Sequence, residues 1–156
     1  MLLVLSAAAA GPGTSSVAVE VSILLDTDLL SLLERKRIPA TFSNWMSRQT
    51  DLVISIVSFA ELEFGLEQSP ATHRAALAEW LVETRQRFAP ATEQLSEAVL
   101  VCWKRLLADL KRKNRTMTCE DSLIAATALF WGHTVATRNT RHFEPAGVEV
   151  IDPTVG

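Results

Sequence analysis

The segment VSILLDTDLLSLL, residues 21–33, contains the pattern that decides the fold. Its first part, residues 21–25, is a short, mostly apolar run, which is typical of a strand buried on both faces. Its second part repeats leucine at positions 29, 30, 32 and 33, a helical spacing. The segment therefore predicts a buried strand that is followed at once by a helix.

The same alternation continues toward the C-terminus. Further buried strands are predicted at residues 52–57, 133–137 and 148–151. Helical patterns separate them, and Ser69-Pro70 is expected to cap and begin one of these helices. Strands separated by helices need crossover connections, which place the strands in parallel and the helices on both faces of the sheet. The predicted fold class is α/β, with a short, mostly parallel sheet.

Length and composition set limits on what the chain does. Its 156 residues favour one domain, and 48% hydrophobic with 21% charged residues excludes a disordered chain. The net charge of −3 excludes a polycation that binds nucleic acid by bulk charge, so any such contact must be local. The two cysteines, Cys102 and Cys119, lack the spacing of a zinc site and indicate a reducing, cytoplasmic location.

The first twenty residues differ from the rest. The apolar run at residues 1–10 is broken by Gly11-Pro12-Gly13, at half the length of roughly 20 residues that spans a membrane. A signal peptide is the alternative, because Ala8 to Ala10 could end one, but a basic residue near the start is missing. We expect residues 1–20 to be a poorly ordered extension and residues 21–156 to be the functional domain, with no membrane contact.

Acidic side chains recur where predicted strands end. Asp26 follows the first strand, Glu61 lies in the first turn of the helix after the second, and Asp121 opens the helix before the strand at 133–137. Asn139 follows that strand. Because the carboxyl ends of parallel strands meet at one edge of a sheet, these side chains should lie together.

Such a cluster predicts a metal site. Neighbouring carboxylates raise each other's pKa unless a cation neutralises them, and Mg²⁺ or Mn²⁺ suits these hard oxygen ligands. The chemistry predicted is metal-assisted attack of water on a phosphate ester. Taken singly, each acid also has a structural explanation, because Asp26, Asp28 and Asp121 could be helix caps and Glu61 could complement a helix N-terminus.

Four segments together resemble a known family: LLDTD at 24–28, SFAELEFG at 58–65, DSLIAATA at 121–128 and TRNTRHF at 137–143. In this order they are similar to the motifs of PIN-domain ribonucleases, and most similar to the VapC-type toxins of bacterial toxin-antitoxin pairs. The resemblance covers residues 21–153. It implies a three-layer α/β/α domain, a homodimer, a divalent metal, an RNA substrate and a cognate antitoxin whose C-terminal segment covers the crevice.

The resemblance also implies roles for single residues. Asp26, Glu61 and Asp121 match the acidic metal ligands of the family. Asn139 stands where many members carry a fourth acid, and an amide there can orient a water or a ligand but would leave a second metal weakly held. His142 stands where an aspartate is usual, which leaves its role open.

Candidate RNA contacts follow from the basic residues. Residues 104–115 contain six basic side chains and one acidic side chain, and Lys111, Arg112 and Lys113 are the predicted phosphate contacts in this stripe. A solvated helix end is the alternative explanation. Arg138 is the better candidate because it should lie at the crevice itself. Apolar bulk at residues 29–33 and 42–46 is predicted to be partly exposed and to mark an interface with the antitoxin.

Two other functions stay open at this point. Asp26-Thr27-Asp28 after a strand also resembles the first motif of haloacid-dehalogenase-type phosphatases, in which the first aspartate is a nucleophile and the second an acid or base. That likeness stops at one motif, because Leu30 stands where Thr or Val is expected. The other alternative is a nuclease-like binding module without activity, for which Asn139 is the supporting feature.

Overall fold

The computed structural model describes residues 22–35 and 37–155. The predicted extension at residues 1–20 lies outside these ranges. The described residues form a parallel five-stranded sheet with the order β3-β2-β1-β4-β5. The strands are β1 (Ile23–Leu25), β2 (Leu52–Ser55), β3 (Thr92–Glu93), β4 (Thr134–Ala136) and β5 (Val150–Ile151).

Helices cover both faces of the sheet. They are α1 (Thr27–Glu34), α2 (Ala40–Met46), α3 (Ile56–Gln68), α4 (Ala71–Phe88), α5 (Glu97–Arg112), α6 (Cys119–Trp131) and the short α7 (Thr140–Phe143). Leu25 packs into a core with α1, α2, α3 and α4, whereas its neighbour Leu24 packs into a second core with α5, α6 and α7. Because successive strand residues point to opposite faces, this alternation confirms the three-layer α/β/α fold.

Some predicted boundaries were wrong. The strand predicted at 52–57 ends at Ser55, whose Oγ accepts from the backbone N–H of Val57 at 3.2 Å and so caps α3. Glu61 therefore lies in the second turn of its helix rather than the first. Ser69 does not cap α4; it is the C-cap of α3, and Pro70 occupies the N-cap position of α4. The two-residue strand β3 carries no pattern that predicted it.

Local signals set both ends of α6. The Thr118 hydroxyl accepts from the backbone N–H of Asp121 at 3.1 Å, as an N-cap does. Gly132 ends the helix in the left-handed conformation, with φ of 76°. These two signals place Asp121 at the carboxyl edge of the sheet and let the chain turn into β4.

The prediction of exposed apolar bulk on α1 and α2 was wrong. Leu29, Leu30 and Phe42 are all 0% exposed, because both helices pack against the sheet and α3. Exposed large apolar side chains lie elsewhere, among them Phe64 on α3 and Val82 on α4, and Leu100, Val101, Leu129, Phe130 and Trp131 on α5 and α6. No helix in the described part of the chain is long and apolar enough to cross a membrane.

Candidate functional site

Asp26 stands at the carboxyl end of β1 and is 5% exposed. Its Oδ1 accepts from the backbone N–H of Thr27 at 2.8 Å, so it is the N-cap of α1. Its Oδ2 accepts from the Thr137 hydroxyl at 2.8 Å, and Thr137 directly follows the adjacent strand β4. Burial raises the pKa of Asp26 to about 7; the Thr137 hydrogen bond opposes this, and the charges of Asp28 and Asp121 add to it.

Glu61 reaches the same edge from α3. Its Oε2 accepts a short hydrogen bond from the hydroxyl of Thr27, the residue after Asp26. Burial raises the pKa of Glu61, this hydrogen bond lowers it in part, and the charges of Asp121 and Glu120 raise it further. Thr27 and Thr137 therefore each hold one of the predicted metal-ligating carboxylates, a function that the sequence did not reveal.

Asp121 completes the group from the N-terminus of α6. Its Oδ2 lies 3.3 Å from Nδ1 of His142, and the Asp121 side chain is 18% exposed against 57% for His142. The negative charge of Asp121 raises the pKa of both Asp26 and Glu61. The structure thus brings the three predicted acids together at one edge of the sheet and places His142 on the solvent side of Asp121.

Asp28 has a function that the sequence prediction missed. Its Oδ2 accepts from the backbone N–H and from Nε of Arg138, each at 3.1 Å, and from Nδ2 of Asn139 at 3.3 Å. The predicted helix cap is supplied by Asp26 instead. Asp28 therefore joins the first motif to the fourth. The only signal in the sequence was that two aspartates flank Thr27, although one is enough to cap a helix.

Arg138 and Asn139 are held at this edge rather than free. The guanidinium of Arg138 forms an ion pair with Asp28, and the backbone N–H of Asn139 donates to the Thr137 hydroxyl at 3.0 Å. Both residues are exposed. Arg138 is thus at the crevice, as predicted, but part of its charge already has a partner.

The carboxylate edge fits a hydrated divalent cation. Within the described ranges, no three His, Cys, Asp or Glu side chains form a ready-made metal cage. Mg²⁺ needs no such cage, because it commonly binds directly to one or two carboxylates and keeps several waters or phosphate oxygens, and a third carboxylate would then act through a bound water. A cation beside Asp26 would also offset the burial and mutual repulsion that raise the pKa of this carboxyl group.

The predicted basic stripe lies at the end of α5, from which residues 114–118 lead to Asp121. Two of its three predicted RNA contacts have a partner within the helix. Arg112 pairs with Asp109, and Nζ of Lys113 lies 2.6 Å from Oδ2 of the same carboxylate. The hydrogen bonds from Lys113 and Arg112 lower the pKa of Asp109. Lys111 is exposed on the same turn.

Comparisons with known proteins agree on one family. A family model described as the PIN domain matches residues 23–148. VapC ribonuclease Y4jK of Sinorhizobium fredii is 32% identical over 139 residues, which cover 84% of this chain and 96% of that protein. Plasmid stability protein StbB of Pseudomonas syringae pv. tomato is 33% identical over 135 residues, with 84% and 97% covered. The crystal structure of FitAcB from Neisseria gonorrhoeae has a TM-score of 0.76 and 29% identity, with 84% and 97% covered.

Proposed function

Because the chain belongs to the PIN-domain family and is a ribonuclease of the VapC type, we propose that its carboxylate edge hydrolyses RNA phosphodiester bonds with Mg²⁺ or Mn²⁺ held by Asp26, Glu61 and Asp121. One observation carries this assignment. Asp26, Glu61 and Asp121 come from three separate motifs, and the charge of Asp121 raises the pKa of the other two. A divalent cation is a general requirement of this family; the choice of metal and ligands is our proposal.

The side chains at the edge have distinct tasks in this proposal. Thr27 and Thr137 fix the orientation of Glu61 and Asp26 by donating hydrogen bonds to them. Asp28 positions Arg138 and Asn139, which face the phosphate group of the RNA. The bound cation supplies a Lewis acid that activates water and neutralises charge on the phosphate.

The chain acts, in this proposal, as the toxin of a toxin-antitoxin pair, and the antitoxin is its protein partner. A groove of about 250 Å³ lies between α1, α3 and α4. Glu34 and Glu61 give it acidic groups, and Leu62, Leu77 and Trp80 give it apolar ones. Such a lining suits a polypeptide segment with basic and apolar side chains, which is how an antitoxin segment would cover the crevice.

We further propose that the chain is a cytoplasmic homodimer. The exposed side chains of Leu100 and Val101 line a groove on α5, and exposed apolar surface of this kind is typical of an interface. Light scattering of the purified chain over a range of concentrations tests this state, and a monomer at all concentrations would contradict it.

The test of the nuclease assignment is single-turnover cleavage of single-stranded RNA with and without Mg²⁺. Asp26→Asn, Glu61→Gln and Asp121→Asn should each lower the rate by orders of magnitude, because a metal site built from several ligands fails when one is lost. Asn also caps helices well, so Asp26→Asn keeps α1 intact. Asp51→Asn is the matched control, because Asp51 directly precedes β2 and so lies at the amino ends of the strands, opposite the carboxylate edge. Full activity of Glu61→Gln would contradict the assignment.

The same variants, tested with a second substrate, separate the alternative functions. A haloacid-dehalogenase-type phosphatase would hydrolyse p-nitrophenyl phosphate, would need Asp26 and Asp28 together, and would tolerate Glu61→Gln. The ion pair of Asp28 with Arg138 disfavours that function, since the carboxylate is not free to act as an acid or base. Binding of RNA without cleavage at any Mg²⁺ or Mn²⁺ concentration would instead support the binding module.

A further inference from the structure

A second groove opens beside Asp121 and is separate from the groove that Glu61 lines. It measures about 430 Å³, and its lining residues come from the start of α6 and from the chain around α7. They are Thr116, Met117, Thr118, Asp121, Arg141, His142 and Pro145. Because Asp121 belongs to both the groove and the carboxylate edge, a molecule whose reacting group sits at that edge can extend into this groove.

Arg141 gives this groove a contact for an anion. Arg141 keeps its positive charge at all physiological pH values, and within residues 22–35 and 37–155 it has no ion-pair partner, in contrast to Arg138. The exposed cations Lys111 and Arg115 belong to the segment that leads into the groove. Asp121 in the lining and the exposed Glu120 and Glu144 beside lining residues are acidic, so an anion would be held by the Arg141 guanidinium itself and not by a net positive charge.

The lining also suits a nucleotide in size and chemistry. Its volume falls in the range of roughly 300–1,000 Å³ that is usual for small-molecule sites. Met117 and Pro145 offer apolar surface to one face of a base, and the hydroxyls of Thr116 and Thr118 can bond to base edges or sugar. Unpaired bases of single-stranded RNA are accessible to such contacts, whereas paired bases are not.

We propose that this groove is a nucleotide subsite, which holds the nucleotide of single-stranded RNA next to the scissile phosphate, with Arg141 bound to its phosphate group. The subsite deepens the proposed ribonuclease function and rests on it. It assigns to Arg141 a contact that the sequence had placed on Arg138 and the α5 stripe, where Arg138, Arg112 and Lys113 have carboxylate partners.

The first test measures binding of a fluorescently labelled single-stranded RNA in EDTA, where metal-dependent cleavage is stopped. Arg141→Gln should weaken binding about tenfold, as loss of a charged hydrogen bond does. The plot of log K against log salt concentration should become shallower by about 0.7, the value for one phosphate contact on a single strand. Arg48→Gln removes the same charge at an exposed position shortly before β2, and should leave both quantities unchanged. Arg141→Lys should recover part of the loss.

The second test uses cleavage with Mg²⁺ and substrates shortened stepwise from the 5′ or the 3′ end. Arg141→Gln should raise KM more than it lowers kcat on long RNA. In one of the two series this effect on KM should disappear once the nucleotide that fills the groove is removed. Persistence of the effect in both series, down to the shortest cleaved substrate, would overturn the subsite.

Other outcomes separate this inference from the function on which it rests. Equal RNA affinities of Arg141→Gln and Arg48→Gln would overturn the subsite. If the wild type still cleaves RNA in that case, the proposed ribonuclease function stands. Weaker binding of the antitoxin with unchanged RNA binding would also overturn it, since the groove would then hold protein. Absence of wild-type cleavage would contradict the ribonuclease function, and the binding test would still decide whether Arg141 contacts RNA.

Discussion

The two grooves that flank the carboxylate edge differ in charge. On the flank between α1, α3 and α4, Glu34 and Glu61 accompany apolar side chains. On the flank beside α7, Arg141 and His142 accompany Asp121 and two threonines. One site can therefore present different surfaces to different partners. In our proposals, RNA occupies the flank that contains Arg141, and an antitoxin segment occupies the flank that contains Glu34 and Glu61.

This division lets substrate and inhibitor compete for the centre without sharing all of their contacts. Glu61 lines one groove and Asp121 the other, and the charge of Asp121 acts on Glu61, so either partner can reach this centre. Residues further out on each side contribute to one partner only. Variants on the two flanks should therefore have separable effects, and variants at the centre should not.

The largest expected effect belongs to the shared centre. Because burial raises the pKa of Asp26 to about 7, the folded state without metal keeps this proton while the unfolded state loses it. Stability should therefore fall as the pH rises from about 4 to about 7, by several kcal/mol at about 1.4 kcal/mol per pKa unit. The raised pKa of Glu61 acts in the same direction. Urea denaturation in EDTA at pH 5 and pH 8 measures the change.

Asp26→Asn should remove most of this fall and keep the helix cap, whereas Asp51→Asn should retain all of it. Added Mg²⁺ should stabilise the wild type at pH 8 more than Asp26→Asn. Equal pH dependence in wild type and Asp26→Asn would show that this carboxyl group is ionised in the folded protein.

Asp28→Ala sharpens the comparison on the α7 flank. It removes the acceptor that holds Arg138 and Asn139, so RNA cleavage should fall by about 10- to 100-fold, as is common for residues that orient a metal site. Asp28→Asn keeps one acceptor oxygen and should recover part of the rate. Steady-state kinetics on single-stranded RNA should show a loss in kcat as well as a rise in KM. If the kinetics of Asp28→Ala equal those of the wild type, the hydrogen bonds of Asp28 do not contribute to RNA cleavage.

On the α3 flank, Trp80→Ala should weaken the complex with the antitoxin about tenfold, because aromatic side chains in grooves are often dominant contacts. Isothermal titration with purified antitoxin measures the affinity. Val82→Ala is the control, since Val82 lies on the same helix but is 54% exposed and outside the groove. If Trp80→Ala loses RNA affinity and antitoxin affinity to the same extent, the proposal that each flank binds one partner is contradicted.

The smallest effect is expected from the α5 stripe. Replacing Lys111, Arg112 and Lys113 together with glutamine should make the salt dependence of RNA binding less steep. The change in slope should be smaller than the loss of three phosphate contacts would give, because Arg112 and Lys113 already pair with Asp109. A change of about 0.7 or less in slope corresponds to Lys111 alone. A change near 2 would mean that RNA displaces both ion pairs.

The sequence predicted those features whose signals are local. Apolar runs predicted four of the five strands. Asp26 could be placed because it directly follows a strand and Asp121 because it opens a helix, whereas Glu61 lies one turn further along its helix than predicted. The hydrogen bond from Arg138 to Asp28 joins residues 110 positions apart, and no local pattern announces such a partner. Burial of Leu29 and Phe42 was missed for a related reason. Their exposure depends on what packs over them, which a single segment does not reveal.

The lengths of the outer strands have a consequence for solubility. The two outermost strands of the sheet, β3 and β5, have only two residues each. Short edge strands expose few unpaired backbone N–H and C=O groups, and so give another chain little to add to. A toxin separated from its antitoxin must stay dissolved on its own while its grooves stand open. The short outermost strands would keep such freed molecules from pairing strand to strand into aggregates.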